Sequence, residues 1–171
     1  MRFQGLVYRA HNPQWSWDPL SGEGARLYGG RFNRRGAPAL YTSLAPLTAV
    51  REATLLGRPM QPITLCAYEV DAEPVFDALD EALCRSLGVS GPDIECPSWR
   101  AEMLAGAVAA SQALADRLIE GGYVGMRVRS FAPATGPDDI NLVLWTWGSE
   151  RPSRLVLIDE ERRLPQGLAH E

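Results

Sequence analysis

A chain of 171 residues that is 46% apolar and carries five tryptophans fits one domain with a real core, needing no disulfide or metal support. Its 17 basic and 21 acidic side chains leave a net charge of −4, which excludes a general basic field drawing it to nucleic acid or an anionic membrane. Every basic residue is arginine, so a Walker A loop, a Schiff base and a pyridoxal aldimine are all excluded.

Residues 5–11 (GLVYRAH) are apolar and aromatic and predict a strand. Residues 12–37, rich in Pro, Gly, Trp and Asn, predict a long loop that its aromatic side chains should keep ordered. A short strand is expected at 38–42. Ser43 is then expected to cap a helix over 45–57 that Gly57 and Pro59 end. Residues 62–70 (PITLCAYEV) predict a strand and 73–77 a short one. The segment 79–88 predicts a helix closed by Gly88, and 89–98 a loop. Helical patterning returns at 99–104 and at 111–122, the latter closed by Gly121 and Gly122. Three further strands are expected at 123–129, 140–147 and 154–159, between Pro, Gly and Asp turns. Strands and helices mix without strict βαβ alternation. That predicts an α+β domain with a mostly antiparallel sheet and flanking helices.

Cys66, Cys84 and Cys96 form no C-x-x-C pair and are odd in number, which fits a reducing compartment. No apolar run approaches the ~20 residues of a membrane span, and the N-terminus lacks the apolar core of a signal peptide, so a cytoplasmic location is expected. Of the two histidines, His170 lies one residue from the C-terminus, which leaves His11 alone for any His-dependent triad and no zinc spacing. The chemistry that remains is run by Arg, Glu, Asp, Tyr and Ser, without metal.

Glu52 is the first candidate. On the expected helix its direction is shared by Ala45, Thr48, Ala49, Leu55 and Leu56, small and apolar neighbours among which an unpaired charge is costly. It is either a structural partner of an arginine or a catalytic carboxylate in a tuned environment. The segment 28–43 is the second. Gly29 and Gly30 would let backbone approach a ligand, and Arg31 supplies the bidentate guanidinium that suits a pyrophosphate. Arg34 and Arg35 beside it read as solvated loop charges, since three arginines in an acidic chain are thin support for RNA contact. Arg9 lies inside a strand, where Arg is commonly edge-exposed or ion-paired. Ser130 ends a strand ahead of the loop FAPATGPDD, a setting in which most serines are plain loop residues.

Taken in order, these positions resemble the RES domain family. The resemblance is carried by Tyr8-Arg9, by Gly29-Gly30-Arg31-Phe32-Asn33 with Gly36, by Leu40-Tyr41-Thr42-Ser43, and by Thr48-Ala49 with Glu52-Ala53. Ser130 and Asn141-Leu142-Val143-Leu144 are similar to the family's Ser and Asn-containing strand, and the whole spans roughly 5–145 of a chain read as one NAD-binding domain. Phe32 stands where the family often has Trp.

The resemblance implies a toxin of a type II toxin–antitoxin pair, with a fold similar to ADP-ribosyltransferase toxins. NAD is then the substrate, and nicotinamide is released while ADP-ribose passes to water, phosphate or a protein acceptor. It also implies an Xre-like antitoxin whose terminal segment covers the active site. On this reading Glu52 stabilises the sugar cation, Tyr41 stacks on nicotinamide or ribose and hydrogen-bonds through its hydroxyl, and Ser130 orients Glu52 or the nicotinamide amide. Arg9 and Arg31 hold the phosphates, with Tyr8 and Asn141 as further NAD contacts. The reading from another class is a non-catalytic module that binds a nucleotide or protein through the aromatic loop. An RNase-type toxin has no His pair or Lys to support it.

Overall fold

The computed structural model describes residues 1–54 and 59–166. Among these residues seven strands run in chain order: β1 (Phe3–His11), β2 (Leu40–Ser43), β3 (Thr64–Ala72), β4 (Val75–Asp77), β5 (Gly125–Arg129), β6 (Ile140–Leu144) and β7 (Ser153–Leu157). They form one sheet in the order β4-β5-β6-β2-β1-β3-β7, and only the β4–β5 pair is parallel. Among the described residues six helices accompany it: α1 (Glu23–Tyr28), α2 (Pro46–Ala53), α3 (Glu81–Ser86), α4 (Gly91–Glu95), α5 (Trp99–Leu104) and α6 (Ala110–Glu120). The α+β expectation and its mostly antiparallel sheet hold. No described helix is long and apolar enough to cross a membrane.

Strand periodicity explains why both faces of the sheet are covered. Leu142 and Leu144 pack with Val7, Tyr68 and Leu155, whereas Val143 between them packs with Phe76, Leu118 and Met126. Successive strand side chains point to opposite faces, so β6 feeds two cores. Leu114, Ala115 and Leu118 of α6 and Cys84 of α3 close the second core. Each fully buried Leu or Met contributes about 1.5–3 kcal/mol by leaving water.

Four expectations change. The helix begins at Pro46, which occupies a first-turn position where its missing N–H costs nothing, and Ala45 is its cap. Ser43 therefore belongs to β2 and caps no helix. That helix also ends at Ala53: Thr54 turns extended, and its hydroxyl donates to the Val50 carbonyl. The expected continuation to 57, with Leu55 and Leu56, lies largely outside the described residues. The segment 12–37 is not all loop, since it holds a 3₁₀ turn (Pro13–Trp15) and α1. Likewise 89–98 contains α4, which Ser90 and Asp93 start with reciprocal hydrogen bonds.

Side chains from the sheet, from the segment just after β6 and from α6 hold the 12–37 segment by its carbonyls. Arg9 Nη1 donates to Pro19 and Ser21, the Tyr68 hydroxyl to Pro19, and Trp147 Nε1 to Leu20. Further on, Trp145 Nε1 donates to Phe32, and Gln112 Nε2 to Gly30 and Asn33. Buried Asn33 is the hub: its amide donates to the Ala25 and Ala37 carbonyls, and its Oδ1 accepts from the Tyr41 hydroxyl at 2.7 Å. This hub explains Gly30. A Cβ there would collide with the Tyr41 hydroxyl and lie 2.6 Å from Asn33 Oδ1. Although Gly30 lines a cavity, the room its hydrogen leaves is taken by Tyr41 and Asn33 rather than kept for a ligand. Gly30→Ala should therefore destabilise the fold by about 1–3 kcal/mol, seen in urea unfolding. A neutral result would show that the hub yields freely.

Candidate active site

Glu52 stands on the last turn of α2, exposed to solvent rather than buried among the apolar side chains expected around it. It forms no ion pair among the described residues. Instead two neutral donors converge on one oxygen: Ser130 Oγ donates to Oε1 at 2.6 Å, and Asn141 Nδ2 donates to the same atom. Asn141 Oδ1 in turn accepts from Ser43 Oγ at 2.7 Å. The register explains the meeting, because Ser43 pairs with Tyr8 on one side and with Asn141 on the other. Three strands thus bring Tyr8, Ser43 and Asn141 beneath the end of α2.

Ser130 reaches Glu52 from the loop after β5. Its hydroxyl also accepts from the Ala132 amide, and its own amide donates to the Asp139 carbonyl at 2.7 Å. Asp139 ties this loop to α2. Its carboxylate accepts from the Thr48 hydroxyl, from Arg51 Nη1 at 3.0 Å and from the Gly136 amide at 2.7 Å. The Gly136 amide, then Thr48 and Arg51, hold its pKa below the ordinary aspartate value. A depressed carboxylate stabilises the fold above its unfolded pKa and loses that contribution as pH falls through the folded one. The melting temperature should accordingly fall as pH drops from about 5 towards 3, and Asp139→Asn should flatten part of that fall. Circular-dichroism melts across this range check it, and an equal slope in the variant would refute the assignment.

Two cavities meet at Glu52. The smaller, about 240 Å³, is lined by Tyr8, Arg9, Tyr41, Ser43, Glu52 and Asn141 among others. The larger, about 430 Å³, shares Arg9, Tyr41, Glu52 and Asn141 and adds Arg31, Trp99 and Phe131. All the candidates except Ser130 line one or both, and Ser130 touches the wall through Glu52.

The arginines are not free surface charges. Arg31 Nη1 donates to the Glu95 and Cys96 carbonyls, so the side chain also caps α4, where a cation suits the helix C-terminus. Its guanidinium lies 4.5 Å from the Phe131 ring centroid and 6.0 Å from that of Trp99. Burial lowers the pKa of Arg31, and it does the same to Arg9. Neither forms an ion pair with a carboxylate among the described residues, whereas Arg34 pairs with Asp116 at 2.8 Å. Arg34 is thus a solvated surface charge, as expected, that also has a carboxylate partner. Arg9 and Arg31 both donate to backbone carbonyls through Nη1, and both residues line the larger cavity.

Tyr41 departs from its expected role in one respect. Its hydroxyl donates to Asn33 and accepts from the Phe32 amide at 3.0 Å, so the ring is the part left to face the cavities. Burial raises its phenol pKa well above the usual value. Trp99, Phe131 and Asp139 join the site without a role in the sequence reading, and Ser43, expected as a helix cap, joins it through Asn141. Only Asp139, set in a Gly/Pro/Asp-rich loop beside Ser130, carried a local signal. Among the described residues, no cluster of three or more His, Cys, Asp or Glu is placed to hold a metal ion.

Comparison with known proteins bears on this arrangement. A family model described as the RES domain matches residues 6–166. No curated protein matches the chain. Among solved structures, a chain of the M. tuberculosis MbcT–MbcA toxin–antitoxin complex is similar in fold, with a TM-score of 0.65 and 21% identity, over 93% of this chain and 84% of that one.

Proposed function

Since the chain belongs to the RES domain family, we propose that it is the toxin enzyme of a toxin–antitoxin pair, binding NAD as substrate and cleaving its nicotinamide–ribose bond. The observation that carries this is the shared cavity wall. A carboxylate gripped through one oxygen stands beside two partly buried guanidinium groups that have no carboxylate partner among the described residues. Buried cations without counterions favour an anionic ligand, and a pyrophosphate matches the forked donors of Arg9 and Arg31.

The cleavage itself asks little of acid–base groups. The C–N bond breaks with its electron pair going to the ring nitrogen, so nicotinamide leaves neutral and needs no proton. What remains is a ribosyl cation, and a carboxylate near it lowers the barrier electrostatically. Ser130 and Asn141 occupy Oε1 of Glu52, which leaves Oε2 to face the ribose. The Tyr41 ring and Tyr8 border the space for the sugar and nicotinamide. An acceptor oxygen or nitrogen then bonds to the anomeric carbon and loses its proton, giving transfer to a protein, or hydrolysis or phosphorolysis.

A cytoplasmic enzyme that drains NAD must be held silent, and an Xre-like antitoxin is the partner the family reading implies. Exposed Trp15, Trp17, Leu27 and Tyr28 ring a third cavity of about 410 Å³ that shares Arg9 with the other two. An antitoxin segment seated there would run on towards Arg9 and Arg31 and block NAD. Incubation of the purified protein with NAD tests the enzyme reading, with nicotinamide and the ribosyl product followed by chromatography and mass spectrometry. Release of nicotinamide is expected, and intact NAD at high enzyme concentration would overturn it.

A further inference from the structure

Ser43 takes no part in the proposed cleavage and no longer serves as a helix cap. We infer that it is a positioning residue for Glu52, acting through the side-chain amide of Asn141, an inference whose catalytic consequence rests on the NAD-cleaving reading.

The geometry is a chain of two hydrogen bonds. Ser43 is 3% exposed, and its backbone is fixed between β1 and β6 by its pairing with Tyr8 and Asn141. Its Oγ donates to Asn141 Oδ1 at 2.7 Å, and Asn141 Nδ2 donates to Glu52 Oε1. An ionised carboxylate only accepts, so the amide nitrogen has to face Glu52 and the amide oxygen has to face away. The terminal torsion of an asparagine is broad and holds neither orientation by itself. The Ser43 hydroxyl supplies the donor that meets the oxygen when the nitrogen faces Glu52. It thereby stiffens the amide in the one sense that serves the carboxylate.

The consequence follows from where Glu52 sits. It is exposed, on the final turn of an eight-residue helix. Ser130, its other donor, lies in the loop that follows β5. Asn141 is the link from this carboxylate to the sheet, and Ser43 is what keeps that link aimed. With Ser43→Ala, Asn141 Oδ1 loses its donor and the amide samples rotations that turn Nδ2 away. Glu52 is then held from the loop side alone.

Steady-state kinetics on NAD would compare the parent with Ser43→Ala, Ser43→Thr, Asn141→Ala and the Ser43→Ala/Asn141→Ala pair, with Glu52→Gln alongside. Loss of one such hydrogen bond should lower kcat about tenfold in Ser43→Ala, with KM little changed. Ser43→Thr, which keeps the hydroxyl, should recover most of it. The double variant should be no slower than Asn141→Ala, because Ser43 acts only through that amide. Additive losses would overturn the inference, as would a parental kcat in Ser43→Ala while Glu52→Gln is inactive. Side-chain amide NMR gives a readout free of catalysis. Glu52→Gln should shift the Asn141 amide signal in the parent, and that shift should largely vanish in the Ser43→Ala background. A shift of parental size would overturn the positioning role whatever the substrate. If the parent releases no nicotinamide, the NAD reading fails, and the NMR comparison still decides the role of Ser43.

Discussion

Glu52→Gln should lower the rate of nicotinamide release by about 10²–10³-fold, the typical cost of removing one electrostatic contact to a charge that develops in the transition state. The substitution suits the geometry closely. Gln keeps a carbonyl oxygen able to accept from Ser130 and Asn141, so the side chain should stay where Glu52 stands. What disappears is the negative charge facing the sugar. Because Glu52 is exposed and forms no ion pair among the described residues, the melting temperature should barely move. Toxicity on expression should disappear with the activity. A Gln variant that releases nicotinamide at the parental rate would remove Glu52 from the mechanism, and with it the main support for the family's chemistry in this chain.

The strands were legible because their physics is local. Alternating or continuous apolar runs at β1, β3 and β6 announce themselves, and the helix that Asp80 caps needs only its own residues to be seen. The short helices α1 and α4 were not legible. Their six and five residues are too few to show a period, and α1 lies in a segment held by carbonyl contacts from Arg9, Tyr68 and Trp147 far along the chain or across the sheet. Local propensity cannot report such support.

The site divides along the same line. Residue type and local pattern point to Glu52 and Arg31, since an acidic, lysine-free chain leaves few groups able to run chemistry, whereas Arg9 and Tyr41 take their roles from the resemblance to the RES domain family. Their surroundings depended on register. Ser43 meets Asn141 only because β2 lies beside β6, and neither sequence neighbourhood encodes that pairing. The same holds for the glycines. Gly30 was read as an opening for a ligand, whereas the distant Tyr41 hydroxyl fills the space its missing Cβ leaves. The sequence presents Arg31 as a bidentate guanidinium suited to a pyrophosphate. One of its terminal nitrogens is instead committed to the end of α4, a helix the chain's pattern did not disclose. A residue type announces what a side chain can do, and the fold decides which of its atoms remain available.

Asn141→Asp should be nearly as damaging as Glu52→Gln, and for a different reason. The change is isosteric, and Ser43 can still donate to the oxygen that remains. The donor to Glu52, however, becomes an acceptor, which sets two carboxylates face to face at hydrogen-bond distance. Like charges so close cannot both persist, so the pair either takes up a shared proton or separates. At about pH 8, where separation prevails, Glu52 should swing from its place and kcat/KM should fall by about 10²-fold or more. Towards pH 5 the pair should bind one proton and regain an O–H···O contact in place of the lost N–H···O. Its net charge then equals that of the parent site. The ratio of variant to parent kcat/KM should therefore rise as pH falls, and Asn141→Ala, which brings no second charge, should show no such rise. A ratio independent of pH in Asn141→Asp would mean that Asn141 and Glu52 are not in contact during turnover, and that Ser130 alone holds the carboxylate.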